Sequence, residues 1–218
     1  MRDMLRRSLL ALTLLPMVAA AQQRLVPAAA DTPGGESLVA RLRQGGLVLF
    51  FRHADTRGEP CDSSYRVGYW QGQRNISPLG REQSRASGRR LAELGIPVAF
   101  PVLAGPVYRA RDTAELAFGA ERVRVTDELL ADDYAGARLG WVLEAHRRLF
   151  SAPVPAGTNR VLVGHRTPGI MVGGEAVGGR ALPEGGALVL EPRGAAGFRI
   201  LGILELEPLP GGGFHACG

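Results

Sequence analysis

Arg52-His53 stands directly after an apolar run, Val48-Leu49-Phe50-Phe51. A second arginine, Arg109, follows Val102-Leu103-Ala104 and a Gly105-Pro106 turn. A second histidine, His165, ends the run Val161-Leu162-Val163-Gly164. Arginine repels a cation and does not ligate it, so two arginines and two histidines make a poor metal site. They suit a phosphoryl group. A guanidinium fork matches phosphate oxygens bidentately and stays charged at any working pH. A histidine in line with phosphorus can act as nucleophile, and the remaining cations balance charge on the equatorial oxygens. The structural alternative is an ion pair of Arg52 with Asp55 or Asp132, with His165 a hydrogen-bonded core residue.

For these residues to meet, separate elements must carry them to one edge. Five apolar residues from Leu47 to Phe51 predict a strand buried on both faces. Val102–Ala104, Val123–Val125, Val161–Val163, Ala187–Leu190 and Ile200–Leu204 read as further strands. Helical periodicity covers Glu36–Arg43, a segment capped by Ser77-Pro78 and ending near Leu94, Tyr108–Phe118, and Leu139–Phe150. Thr56–Asn75 is a long loop of the kind that carries function. Glu128–Gly136 reads as an acidic loop, and Pro168-Gly169 as a turn. The alternation predicts an α/β fold: a three-layer sandwich with a mostly parallel central sheet and helices on both faces. Such sheets bind ligands at the carboxyl ends of their strands, where Arg52, His53, Arg109 and His165 would converge.

The 218 residues suit one domain. Residues 1–21, MRDMLRRSLLALTLLPMVAAA, have a basic start, a short apolar centre and a small-residue end, and predict a secretory signal peptide. The apolar run is short of the roughly 20 residues a membrane span needs. Residues 22–35, rich in Ala, Pro and Gly, are expected to be a flexible lead-in, and 36–218 a single domain. An exported, periplasmic or secreted location follows, with no membrane span after cleavage. All 26 basic residues are arginine, and they are scattered. That argues against nucleic-acid binding, which wants charge clustered on one face. In an oxidising compartment Cys61 and Cys217 are expected to pair; the alternative is a small metal site with His215.

Several segments together resemble the histidine phosphatase superfamily, also called phosphoglycerate mutase-like. FRHADT (51–56) is similar to its Arg-His-Gly signature, and GPVYRARDTAEL (105–116) to its second motif. VLVGHRTPG (161–169) resembles its Val-x-Gly-His segment. ISPLGREQSR (76–85) and EGGALVLEP (184–192) match the helix start and strand that accompany them. The order is the family's, over about residues 48–192. The resemblance implies His53 as the phospho-accepting nucleophile and Arg52, Arg109 and His165 as phosphate-pocket residues, with Arg57 a further phosphate ligand. It places the proton donor at Asp132, with Asp133 and Glu128 as rivals. Ala54 and Gly105 depart from the family's usual Gly and Ser.

The expected function is an exported, metal-independent phosphatase acting on a phosphomonoester through a phosphohistidine at His53, without cofactor. Its partner would be a phosphorylated small molecule or envelope glycan. The alternatives are a non-catalytic binder of phosphate or a phospho-ligand on the same fold, and a phosphotransferase or mutase.

Overall fold

The computed structural model describes residues 23–217; the expected signal peptide lies outside the described residues. Seven strands form one sheet in the order β1-β7-β6-β2-β5-β3-β4. They are β1 (Ala28–Ala29), β2 (Val48–Arg52), β3 (Val98–Ala104), β4 (Val123–Val125), β5 (Asn159–Gly164), β6 (Gly186–Pro192) and β7 (Phe198–Glu205). β6 runs against its neighbours β2 and β7, and the other pairings are parallel. The helices are α1 (Pro33–Arg43), α2 (Pro78–Glu93), α3 (Tyr108–Phe118), α4 (Asp132–Ala135), α5 (Leu139–Ser151) and α6 (Arg166–Gly173). The predicted three-layer sandwich is therefore the observed architecture.

The alternation of β2 explains its burial. Leu49 and Phe51 face one layer with Val102, Ala104, Val161 and Val163, under Val39 and Leu42 of α1, Leu91 of α2, and Ala110 and Ala114 of α3. Val48 and Phe50 face the other, with Leu162, Leu188 and Leu190 under Leu149 and Phe150 of α5. Both faces being covered, β2 has no polar position before Arg52.

α2 contributes a single large apolar side chain, Leu91, to its buried face, worth about 1.5–3 kcal/mol. Polar anchors complete its docking. Ser77 caps the helix by accepting from Gly80 N and donates to Asp55 at 2.5 Å. Gln83 accepts from Asp55 N at 3.0 Å and donates to the carbonyls of Glu184 and Glu207. These bonds fix the loop that leaves the Arg52 strand end.

Two segments differ from expectation. Part of the presumed flexible lead-in is ordered: β1 pairs in parallel with β7, and α1 begins at Pro33 behind a Thr32 cap. The pairing partner lies at the far end of the chain, so no local pattern announces it. The presumed turn at Pro168-Gly169 is inside α6, where Pro occupies the first turn, which needs no N–H donor from it. A Cβ on Gly169 would press on the Phe50 ring, so glycine lets α6 approach the sheet closely.

Cys61 and Cys217 form a disulfide, their Cα atoms 4.9 Å apart. It ties the loop after β2 to the tail that follows β7, and it leaves neither thiolate for the alternative metal site with His215.

Candidate active site

The carboxyl ends of β2, β3 and β5 lie side by side. Arg52 ends β2, Gly105 follows β3 just before α3 with Arg109, and His165 follows β5 at the start of α6. A cavity of about 330 Å³ opens there, lined by Arg52, His53, Arg109, Asp132 and His165 among others. Sequence reasoning placed these five together, and the structure brings them together.

His53 Nδ1 lies 2.9 Å from the Ala54 carbonyl oxygen. A carbonyl only accepts, so Nδ1 carries the proton and Nε2 keeps its lone pair. Burial, then the Arg52 and Arg109 charges, hold the His53 pKa well below its usual value. The ring is thus neutral, the form a nucleophile needs. His165, 5.6 Å away between ring centroids, is neutral for the same reasons: burial first, then Arg109. Its buried Nε2 has no hydrogen-bond partner. Ala54, where the resembled signature has glycine, imposes no strain, since no described non-glycine residue has positive φ. At Gly105 a Cβ would collide with the Leu129 carbonyl oxygen, which accounts for the missing serine.

The Arg52 cation, at the end of a buried strand, is met by Glu184. Arg52 donates to Glu184 Oε1 at 3.1 Å, and to the carbonyls of Leu182 and Gly213. The partner is neither Asp55 nor Asp132. β6 is antiparallel to β2, so the residue before β6 arrives beside the end of β2. Burial lowers the Arg52 pKa to about 10, with Glu184 opposing; the group stays cationic. Arg109 is held by Asp62 at 3.0 and 3.2 Å, and Asp62 also accepts from Tyr134 Oη at 2.5 Å and from Arg74 N.

Asp132 is the first residue of α4 and Asp133 the second. Both line the cavity, but Asp132 is half-buried and Asp133 exposed. Burial, then Asp133, raises the Asp132 pKa, against a Thr167 hydrogen bond that lowers it. Glu128 pairs with Arg148 and does not line the cavity.

Arg57 is not brought to the cavity with the others. Its guanidinium turns to Pro210 O at 2.6 Å and His215 Nε2 at 2.9 Å, outside the cavity lining. The tail supplies those acceptors, which motif spacing could not foresee. Sequence reasoning also missed Asp62, Arg74 and Glu184. Arg74 bonds to the carbonyls of Thr56 and Ala216 and lines the cavity. The signal for Glu184 was a lone carboxylate directly before a strand of the core.

Asp55, Glu184 and His215 place ligand atoms within 4.8 Å of one another. His215 Nε2 accepts from Arg57, so Nδ1 bears the proton and donates to Glu184 at 3.0 Å. Arg52 pairs with Glu184, and Asp55 accepts from Ser77 Oγ and from the Arg57 backbone N–H. Glu184 is thus shared between Arg52 and His215, which ties the cluster to the pocket arginine.

Residues 48–141 match the family model of the histidine phosphatase superfamily (branch 1). A search of curated proteins finds no match. Among solved structures, the protein histidine phosphatase SixA complexed with tungstate aligns with 73% of this chain and 96% of its own, at 16% identity and a TM-score of 0.50. A mycobacterial glucosyl-3-phosphoglycerate phosphatase complexed with VO3 aligns with 75% of this chain and 100% of its own, at 20% identity and a TM-score of 0.50. At such identities the likeness establishes the fold.

Proposed function

We propose that this chain, whose residues 48–141 match the histidine phosphatase superfamily, is an exported phosphatase that hydrolyses a phosphomonoester through a phosphohistidine on His53. The observation that carries the reading is the tautomer of His53: a neutral ring, its proton tied to the Ala54 carbonyl and its Nε2 lone pair free, in a cavity shared with Arg52, Arg109 and His165. The two solved relatives are phosphatases bound to oxyanions, which agrees with it.

In this mechanism Nε2 of His53 forms a bond to phosphorus as the ester oxygen leaves. Asp132 gives its proton to that oxygen. Arg52, Arg109 and His165 stabilise the equatorial oxygens. Asp132, now ionised, takes a proton from water, whose oxygen attacks phosphorus and frees His53. Each role belongs to a side chain, and no step calls for a metal. The substrate is a phosphorylated small molecule or envelope glycan.

A second reading is a phosphate-binding protein without turnover. It is favoured by the carboxylates already seated on both pocket arginines, Glu184 on Arg52 and Asp62 on Arg109. Hydrolysis of p-nitrophenyl phosphate by the mature chain, with EDTA present, separates the two. Turnover that falls by at least about 10³-fold in His53→Ala is expected, as for loss of a nucleophile. Phosphate that protects against heat without any turnover would favour the binder. Turnover that survives His53→Ala would refute the mechanism.

A further inference from the structure

Phe214, in the tail after β7, has three guanidinium groups around its ring. Their central carbons lie 5.3 Å (Arg52), 5.8 Å (Arg166) and 4.7 Å (Arg180) from its centroid. Arg52 belongs to the phosphoryl cavity and is matched by Glu184. The other two are not matched. Among the described residues neither Arg166 nor Arg180 makes an ion pair with a carboxylate. Arg166 donates to the Gly179 carbonyl, which sets it beside Arg180, and its buried Nε has no partner. Arg166 also lines the phosphoryl cavity. Asp132 and Asp133 line that cavity too, and neither pairs with it.

An aromatic face attracts each cation but carries no net charge, so the group stays positive. Like charges gathered without counter-charge repel one another, and a ligand's anion would relieve that. We propose that Arg166 and Arg180 form a second anion subsite. On the phosphatase reading, the substrate is then a small molecule with two anionic groups, one phosphoryl group that is cleaved and a second phosphate or carboxylate that is held. Cations on one ring, each within about 6 Å of its centroid, are at most ~12 Å apart. That spacing suits two anionic groups on one sugar or sugar acid.

The test compares glucose 6-phosphate with glucose 1,6-bisphosphate and 6-phosphogluconate, which add a second phosphate or a carboxylate. The readout is the ratio of kcat/KM, two anions against one, within each protein. We expect at least a tenfold preference for the two-anion substrates, falling toward unity in Arg180→Gln and in Arg166→Gln. A ratio near one in the parent, or a preference unchanged in both variants, overturns the subsite. If none of the three esters is hydrolysed, the phosphatase reading is decided by the p-nitrophenyl phosphate assay alone. Thermal protection by the same three compounds then decides: tighter binding of the two-anion ligands, lost in both variants, supports the subsite, and equal binding refutes it.

Discussion

Asp132 and Asp133 are neighbours in sequence, yet their surroundings separate them. Asp132 is half-buried at the start of α4 and its carboxyl pKa is raised, by burial first and then by Asp133. Asp133 is exposed. A general acid must hold its proton at the working pH, so the residue with the raised pKa is the better donor. The proton matters most when the departing oxygen is a poor leaving group. An alkyl phosphate needs it, whereas p-nitrophenolate leaves almost unaided. Asp132→Asn is therefore expected to lower kcat for an alkyl phosphate by about 10²–10⁴-fold, and for p-nitrophenyl phosphate far less. Parent activity on the alkyl ester should decline as pH rises through the raised Asp132 pKa, and that limb should vanish in the variant. Steady-state profiles on both esters measure this. An equal loss on both would mean that Asp132 positions and does not protonate.

The elements that build the site divide by how far apart their partners lie. β2, β5 and α3 were legible in sequence because apolar runs and a helical period are local patterns, and Arg52, His53, Arg109 and His165 sit at their ends. β1 was not, since Ala28–Ala29 pairs with Leu204–Glu205. Nor was Glu184, brought to Arg52 by the antiparallel course of β6. The tail was the least legible. It places Gly213 O on Arg52, Ala216 O on Arg74, Pro210 O on Arg57 and the His215 ring on Glu184. The Cys61–Cys217 bond spans 156 residues, so in the chain-entropy account it restrains the unfolded chain strongly, by up to ~5 kcal/mol. Native disulfides typically deliver less. Cys217→Ser, or reduction of the parent, is expected to cost about 2–4 kcal/mol, read as a lower urea midpoint. It should also weaken protection by inorganic phosphate, because Arg52 and Arg74 lose acceptors. A thiol count on the unfolded, unreduced parent should find none. An unchanged midpoint after complete reduction would show that the tail holds without its bond.

The whole molecule buries three of its four histidines, His53, His146 and His165, and all three have pKa values below the usual 6.5. Burial is the leading cause in each, and His146 falls to about 4. Two of the three line the cavity at the strand ends; His146 packs its ring edge against Phe50 and Phe150. The consequence for stability has a definite sign. Above pH 6.5 the rings are neutral in both folded and unfolded chains and contribute nothing to the pH dependence. Below it the unfolded chain takes up protons that the folded chain refuses, so stability falls as pH falls. The loss for each ring ends only when pH passes its folded value, near 4 for His146. Each proton is worth about 1.36 kcal/mol per pH unit, so three together give a limiting slope of about 4 kcal/mol per unit. Urea unfolding at pH 8.5, 7.5, 6.0 and 5.0 should show a flat histidine contribution above 6.5 and a decline beneath it. Saturating inorganic phosphate should flatten that decline, because an anion seated between His53 and His165 lets them accept protons while folded. A decline of equal steepness with and without phosphate would place the acid sensitivity in His146 or in other groups, and would argue that no anion sits against the two cavity histidines.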